Sequence, residues 1–359
     1  MDVLLCITTS FLIAFSALPI IIRVFRSIDL LDAPDRRKVH SVGTPAMGGI
    51  AIFLGCLVSL LFWVQLAELA TIKFLLLPLF FAFLLGIRDD ISSLQALDKL
   101  TIQVFAALLV VFVADIKFSG LYGLFGLTDL PTGFAEFLSI FVIVGLTNAF
   151  NLIDGIDGLA GSIAVLVMSI FGWWFFETGH STLAFLSFSF AGAVLAFLFF
   201  NWAPSKIFMG DTGSLVLGFA LAALMIKFID LNYLLPVRHP MFLQAPIAMS
   251  FALLVLPVYD TLRVFIIRFL AGRSPMSPDK NHVHHILLKL GLNHSQSTLV
   301  LVGFNLTAIT IAYFLQPLGN NWLSLIILVL AASFGLFLDL RLKRKIAQLS
   351  ENRNKASIA

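Results

Sequence analysis

Charge is what this chain has least of. Asp, Glu, Lys and Arg make up 12% of its 359 residues, against about 25% in an ordinary soluble domain. Hydrophobic residues reach 60% and the mean hydropathy is +1.01, which excludes a soluble globule. Cysteine is nearly absent as well. Cys6 and Cys56 both sit inside apolar runs, so neither a disulfide framework nor a cysteine metal cluster is expected. No basic residue precedes the first apolar segment, 3–22, and no small-residue cleavage pattern follows it. A cleaved signal peptide is therefore not expected, and Arg23 and Arg26 beyond the segment read as a cytoplasmic stop. The net charge of +3 offers no strong field, and no nucleic-acid partner is expected. An internal repeat and a second domain are lacking too. Residues 1–340 read as one integral-membrane domain and 341–359 as a polar, basic tail that frays.

What the chain has is apolar runs long enough to cross roughly 30 Å of hydrocarbon. They lie near 3–22, 47–64, 72–87, 100–114, 135–149, 159–176, 182–202, 213–229, 242–270, 298–315 and 322–340. The fold expected is an all-α polytopic membrane protein of about eleven transmembrane helices. The ninth run is interrupted by Pro257, Asp260, Arg263 and Arg268; it should break, with its second half lying amphipathically at the interface. The glycine-rich loop 115–134 suits a small hairpin. With the N-terminus outside, only Lys73, Lys117, Lys227 and Arg238 of the 23 Lys and Arg residues fall on the outer side. The positive-inside rule therefore sets the N-terminus out and the C-terminus in.

Four polar clusters interrupt the apolar background: Arg88-Asp89-Asp90, Asn148 to Asp157, Phe208 to Ser214, and Ser277 to His285. On that topology all four lie in cytoplasmic loops. Each has a plain structural reading: a solvated helix end, an Asp-Gly turn, an N-cap at Asp211, an exposed histidine loop. Two Asp-Gly pairs in tandem, Asp154-Gly155 and Asp157-Gly158, with Asn148 and Asn151 one turn earlier, exceed what a turn needs. Carboxylates beside hydrocarbon require a cation or water, and no basic residue is near in sequence. Asp89, Asp90, Asp154, Asp157 and Asp211 suit Mg²⁺, with Mn²⁺ as a substitute, a hard cation that keeps phosphate and water in its shell. Arg36, Arg37, Lys38, Lys99 and Arg273, with the histidines, suit phosphate oxygens. Gly210 and Gly213 would let a phosphate approach backbone N–H groups. Zinc is disfavoured because no cysteine is at hand. Acids and cations gathered at an inner membrane face suit phosphoryl transfer.

These motifs resemble the polyprenyl-phosphate N-acetylhexosamine-1-phosphate transferases, the superfamily that includes phospho-N-acetylmuramoyl-pentapeptide transferase. The likeness runs nearly the whole length: Asp32-Ala33-Pro34-Asp35-Arg36-Arg37-Lys38-Val39-His40, the Pro45–Gly49 segment, Asp89-Asp90, the stretch Asn148 to Gly158, Phe208-Met209-Gly210-Asp211-Thr212-Gly213-Ser214 and His282-Val283-His284-His285. It implies transfer of N-acetylhexosamine-1-phosphate, most economically GlcNAc-1-phosphate, from a UDP-sugar to undecaprenyl phosphate, with UMP released and Mg²⁺ required. By the same resemblance Asp211, Asn151 and Asp154 meet metal and diphosphate, and Asp89 and Asp90 activate the lipid phosphate. Asp154 and Asp157 join the catalytic set. Asn148, His282, His284 and His285, with Arg37, Lys38 and Arg273, contact substrate. The histidine loop resembles enzymes that start O-antigen, common-antigen or teichoic-acid linkage chains in the inner membrane. The segment 91–99 is loose against the family pattern, which leaves the role of Lys99 open. A homodimer is an open alternative to a single copy. A transporter is the rival from another class, although transporter acids normally lie near the bilayer midplane. An intramembrane aspartyl protease, suggested by Tyr259-Asp260 and Gly210-Asp211, has those motifs in reversed order.

Overall fold

The structure is a computed structural model that describes residues 2–29, 43–131, 133–272 and 281–358. The expected substrate contacts Arg37, Lys38 and Arg273 lie outside the described residues. Helices occupy each apolar run: α1 Asp2–Ser27, α2 Gly48–Trp63, α3 Leu66–Ile91, α4 Ala96–Phe112, α5 Phe134–Ile153, α6 Leu159–Glu177, α7 Ser181–Asn201 and α8 Gly210–Leu234. Then follow α9 Pro246–Leu253, α10 Val255–Leu270, the short α11 Val283–Lys289, α12 His294–Leu315 and, after one 3-10 turn, α13 Gly319–Ile358. Among the described residues, six helical stretches are long and apolar enough to cross a membrane, or seven with α9 and α10 taken as one bent span. The helix α2, at 16 residues, is apolar but shorter.

Burial identifies α8 as the axis. Of its most apolar stretch, 83% is buried in protein, against 22% for α1. The helices α3 and α5 pack along α8, while α1, α2, α6 and α7 pack among themselves beside it. Small residues make the close approaches. A methyl group on Gly49 would strike the backbone of Gly213, and one on Gly86 would strike the backbone of Thr212. Such contacts carry helix association where lipid removes the hydrophobic drive.

The ninth run breaks as expected, with α9 and α10 meeting at 75°. The break falls at Leu254, three residues before Pro257. Pro257 has no N–H for the carbonyl of Leu253 one turn earlier. Asn305 of α12 supplies the missing donor, its Nδ2 lying 3.1 Å from that carbonyl. Unlike the frayed tail expected, the chain stays helical through Ile358. Lys345 of this extension gives Nζ to the carbonyls of Lys289 and Leu290 at 3.2 and 2.9 Å, closing the end of α11. A lysine facing the last carbonyls of a helix suits both their open acceptors and the helix dipole.

The loop between α4 and α5 does form a hairpin, with antiparallel strands β1 Gly120–Leu124 and β2 Leu127–Asp129. It is pinned to the far end of α8. Asp230 accepts from Ser119 N and from Tyr122 OH at 3.3 and 2.5 Å, and Tyr122 stacks on Tyr233 at 3.6 Å. This end of the bundle lies opposite the acidic motifs, which start α8 at Asp211.

Candidate active site

The end of α3, the end of α5 and the start of α8 meet in an acidic nest. Gly86 makes this possible by letting α3 touch α8 at Thr212. The two acids that close α3 then take different partners. Asp90 accepts from the amides of Asp211 and Thr212 at 2.7 and 2.9 Å, and from the Thr212 hydroxyl at 2.6 Å. It caps α8 from another helix, which corrects two sequence expectations. Asp211 is not the N-cap but lies in the first turn of a helix that begins at Gly210. The amides that seemed free to cradle a phosphate are held by a carboxylate, which satisfies open helix donors and suits the positive end of the dipole.

Asp89 turns the other way. It accepts from Leu94 N at 2.6 Å and from Lys99 Nζ at 2.9 Å. Lys99 also meets the Asp211 carboxylate, so one ammonium joins two acids from separate helices. Asn151 donates Nδ2 to Asp211 Oδ1 at 2.7 Å and to Ser214 Oγ at 2.8 Å. Its own Oδ1 accepts no hydrogen bond among the described residues.

Asp154 is the exception in this nest. It caps α5 just beyond the helix, and among the described residues its carboxylate has neither a hydrogen bond nor an ion pair. Burial, together with the like charges of Asp211, Asp90 and Asp157, pushes its carboxyl up to about 7. That is the electrostatic mark of a place short of positive charge. Asp157, one turn on, is buried and engaged. Its Oδ2 lies 3.3 Å from Ser205 N and 3.4 Å from His294 Nδ1, and its carbonyl accepts from Thr298 Oγ1 at 2.9 Å. It ties the loop to α12.

The histidine loop reaches the same place. His284 packs directly on Gly155, where any Cβ would collide with its ring. The three rings form one group, with centroids 5.5 Å apart for His282–His284 and 4.3 Å for His284–His285. Asp260 of α10 holds the loop, facing His282 Nδ1 at 2.8 Å and accepting from Val283 N at 2.8 Å. Arg263 adds a fork to Asp339 of α13 at 2.7 and 2.8 Å and donates to the carbonyl of Asn281 at 2.5 Å. Burial holds His284 neutral, with its pKa lowered to about 3 against the opposing pull of Asp260; His285, His282 and His294 add to the lowering.

Of the site residues expected from sequence, Asp89, Asp90, Asn151, Asp154 and Asp211 come together, and His284 adjoins them through Gly155. Asp157 and His282 stand one layer back, as supports. Asn148 faces elsewhere: its Nδ2 donates to Gln103 Oε1 at 2.7 Å and to Val144 O at 2.8 Å, joining α5 to α4. The sequence expectations assign no site role to Gln103, Thr212, Ser214, Ser205, His294 or, above all, Asp260. Asp260 carried a usable signal, since an acid inside an apolar run demands a named partner.

The donor set suits a hard divalent cation. Among the described residues Asp154 has a free carboxylate and Asn151 a free amide oxygen, and Asp211 has a carboxylate shared with Lys99. Among the described residues no three His, Cys, Asp or Glu side chains enclose a metal ion by themselves. Mg²⁺ is commonly held by one or two carboxylates, with phosphate and water filling its shell, so the arrangement fits.

Comparison with known proteins gives a family and named relatives. A family profile described as Glycosyl transferase family 4 matches residues 72–229, the stretch from α3 to α8 that builds the acidic nest. The Bacillus subtilis (strain 168) protein named "Probable undecaprenyl-phosphate N-acetylglucosaminyl 1-phosphate transferase" is 33% identical over 319 residues, covering 88% of this chain and 85% of its own. The decaprenyl-phosphate N-acetylglucosaminephosphotransferase of Mycolicibacterium smegmatis is 33% identical over 289 residues, 75% of this chain and 71% of its own. The undecaprenyl-phosphate alpha-N-acetylglucosaminyl 1-phosphate transferase of Escherichia coli (strain K12) is 25% identical over 316 residues, 86% and 83% of the two chains. Matched across most of its length and through every helix of the nest, the chain belongs to glycosyl transferase family 4, among the polyprenyl-phosphate N-acetylhexosamine-1-phosphate transferases.

Proposed function

We propose that this protein transfers GlcNAc-1-phosphate from UDP-GlcNAc to undecaprenyl phosphate, giving undecaprenyl-diphospho-GlcNAc and UMP at the start of an envelope polysaccharide. The observation that carries the reading is Asp154: a carboxylate without a partner among the described residues, set among like charges at the meeting point of α3, α5, α8 and the histidine loop. In the reaction an oxygen of the lipid phosphate forms a bond to the sugar-bearing phosphorus, and the bond from that phosphorus to UMP breaks. Little covalent work falls to the protein; positioning and charge neutralisation carry most of it.

Asp154, Asp211 and Asn151 would hold Mg²⁺, or Mn²⁺ in its place. When bound, that ion supplies neutralisation of the diphosphate oxygens and of the charge developing on UMP. Lys99, fixed between Asp89 and Asp211, sets a second positive charge beside the nest. Asp89 is the acid placed to orient the lipid phosphate. Asp90, with both oxygens on α8, fixes the helix start that carries Asp211. His284 and His285 border the nest and suit the nucleotide-sugar side, with His282 positioning them through Asp260. Arg37, Lys38 and Arg273 would add phosphate contacts. The apolar runs and the placement of the basic residues support an eleven-span topology with the nest facing the cytoplasm of the inner membrane.

The test is direct. Purified protein with Mg²⁺ should release UMP from UDP-GlcNAc only when undecaprenyl phosphate is present. A folded preparation that releases no UMP from any UDP-N-acetylhexosamine would refute the reading. A transporter gains no support, because these acids sit at one end of the bundle rather than halfway along it.

A further inference from the structure

At the end of the bundle that holds the acidic nest, but on the α1–α7 side, a cavity of about 360 Å³ opens between Pro19, Ile22, Arg23, Arg26, Phe200 and Lys206. Its three cations come from two separate parts of the chain, the end of α1 and the loop after α7. Among the described residues none of the three has a carboxylate partner. Its other walls are apolar. Below it the seam between α1 and α7 continues as a row of rings: Phe15 lies 5.2 Å from Phe200 and 6.1 Å from Phe199, and Phe11 lies 5.8 Å from Phe199. Phe15 and Phe199 remain 38% and 65% exposed, on a helix pair whose outer face is left to lipid.

We propose that this seam binds an anionic diacyl phospholipid, with its phosphate among Arg23, Arg26 and Lys206 and an acyl chain along Phe15 and Phe199. Cations that merely stop a helix at the membrane surface need no common cavity, and these share one. Cations without a carboxylate partner among the described residues, set above an aromatic groove, complement an amphiphile with a negative head. A diacyl phospholipid presents that head at the level of the α1 terminus and is the bilayer's own anionic component. No side chain of the acidic nest lines this cavity. Occupancy would nevertheless reach the nest, because the amide of Lys206 closes its loop onto Phe200 O at 2.7 Å and α8 with Asp211 begins four residues later. The lipid would steady the loop that leads into the site.

The test uses full-length purified protein titrated with phosphatidylglycerol or phosphatidylcholine, with bound lipid counted by native mass spectrometry. Wild type should retain one phosphatidylglycerol in preference to phosphatidylcholine. The triple variant Arg23→Gln, Arg26→Gln, Lys206→Gln should bind it about a hundredfold more weakly, at about fivefold per cation. Lys73→Gln with Lys117→Gln, at the hairpin end, should bind as wild type does. If the triple variant fails to fold, Lys206→Gln alone should show about a fivefold loss. Equal retention by wild type and variant, or equal retention of phosphatidylcholine, would overturn the proposal. So would preferential capture of undecaprenyl phosphate or inorganic phosphate at this seam.

Discussion

Asp154 and Asp157 look equivalent in sequence, and the fold separates them by what each touches. Asp157 engages Ser205 and His294 through Oδ2, whereas the Asp154 carboxylate engages no group among the described residues. The raised pKa of Asp154 has a definite sign. Below about pH 4 neither the folded nor the unfolded chain is ionised there, so no cost arises. Between about 4 and 7 the unfolded chain sheds a proton that the folded chain keeps, and stability falls as pH rises. Asp154→Asn should therefore raise the unfolding midpoint of metal-free protein at pH 8 and leave it unchanged near pH 3.5. The same variant should abolish UMP release. His284 works in the opposite direction. Held neutral down to about 3, it costs stability as pH falls from 6.5, so His284→Gln should flatten the acid side of a stability–pH curve measured by thermal unfolding. At this scale the sequence marked the acids that gather, since charged groups in an apolar chain are conspicuous, but not that Asn148 turns away to Gln103. It did not disclose the division of labour between Asp89 and Asp90. That division depends on how closely α3 approaches α8, which a bare Cα at Gly86 decides.

Among the elements, the broken ninth span is the clearest case of a sequence signal with a hidden completion. Pro257 announces a kink; the donor that makes the kink tolerable, Asn305, is 48 positions away along the chain and packs there only in the fold. Asn305→Leu should strand the Leu253 carbonyl at a cost of about 1–3 kcal/mol. Pro257→Ala, by restoring a helical N–H, should recover part of that loss in the double variant, as read by thermal unfolding. The position of α11 depends in the same way on its neighbours. Arg263→Ala removes the fork to Asp339 and the hold on Asn281 together. It should raise the KM for the nucleotide-sugar about tenfold while lowering kcat less, since the acidic nest stays intact. Asp339→Asn should act in the same direction but more weakly.

Across the whole molecule, each apolar run became a helix, because a run of that composition has no other way to satisfy its backbone in hydrocarbon. The hairpin followed from its glycines. The tail misled because composition marks residues 341–359 as polar but does not reveal Lys345 docking on α11. Orientation is open to direct measurement. Cys6 and Cys56 are buried, at 0% and 3% exposure, so a single introduced thiol will stand alone. Ser119→Cys in the hairpin should react with a membrane-impermeant reagent in intact cells, and Ser350→Cys only after permeabilisation. The reverse pattern would turn the nest to the other face.

The cap that α3 lends to α8 also makes a gauge. The amide protons of Asp211 and Thr212 are locked only while Asp90, on a different helix, stays in place. Their exchange with solvent deuterium therefore clocks the parting of two helices rather than the fraying of one. Followed with and without substrate, that clock would tell whether the nest is assembled before its ligands arrive or closes around them.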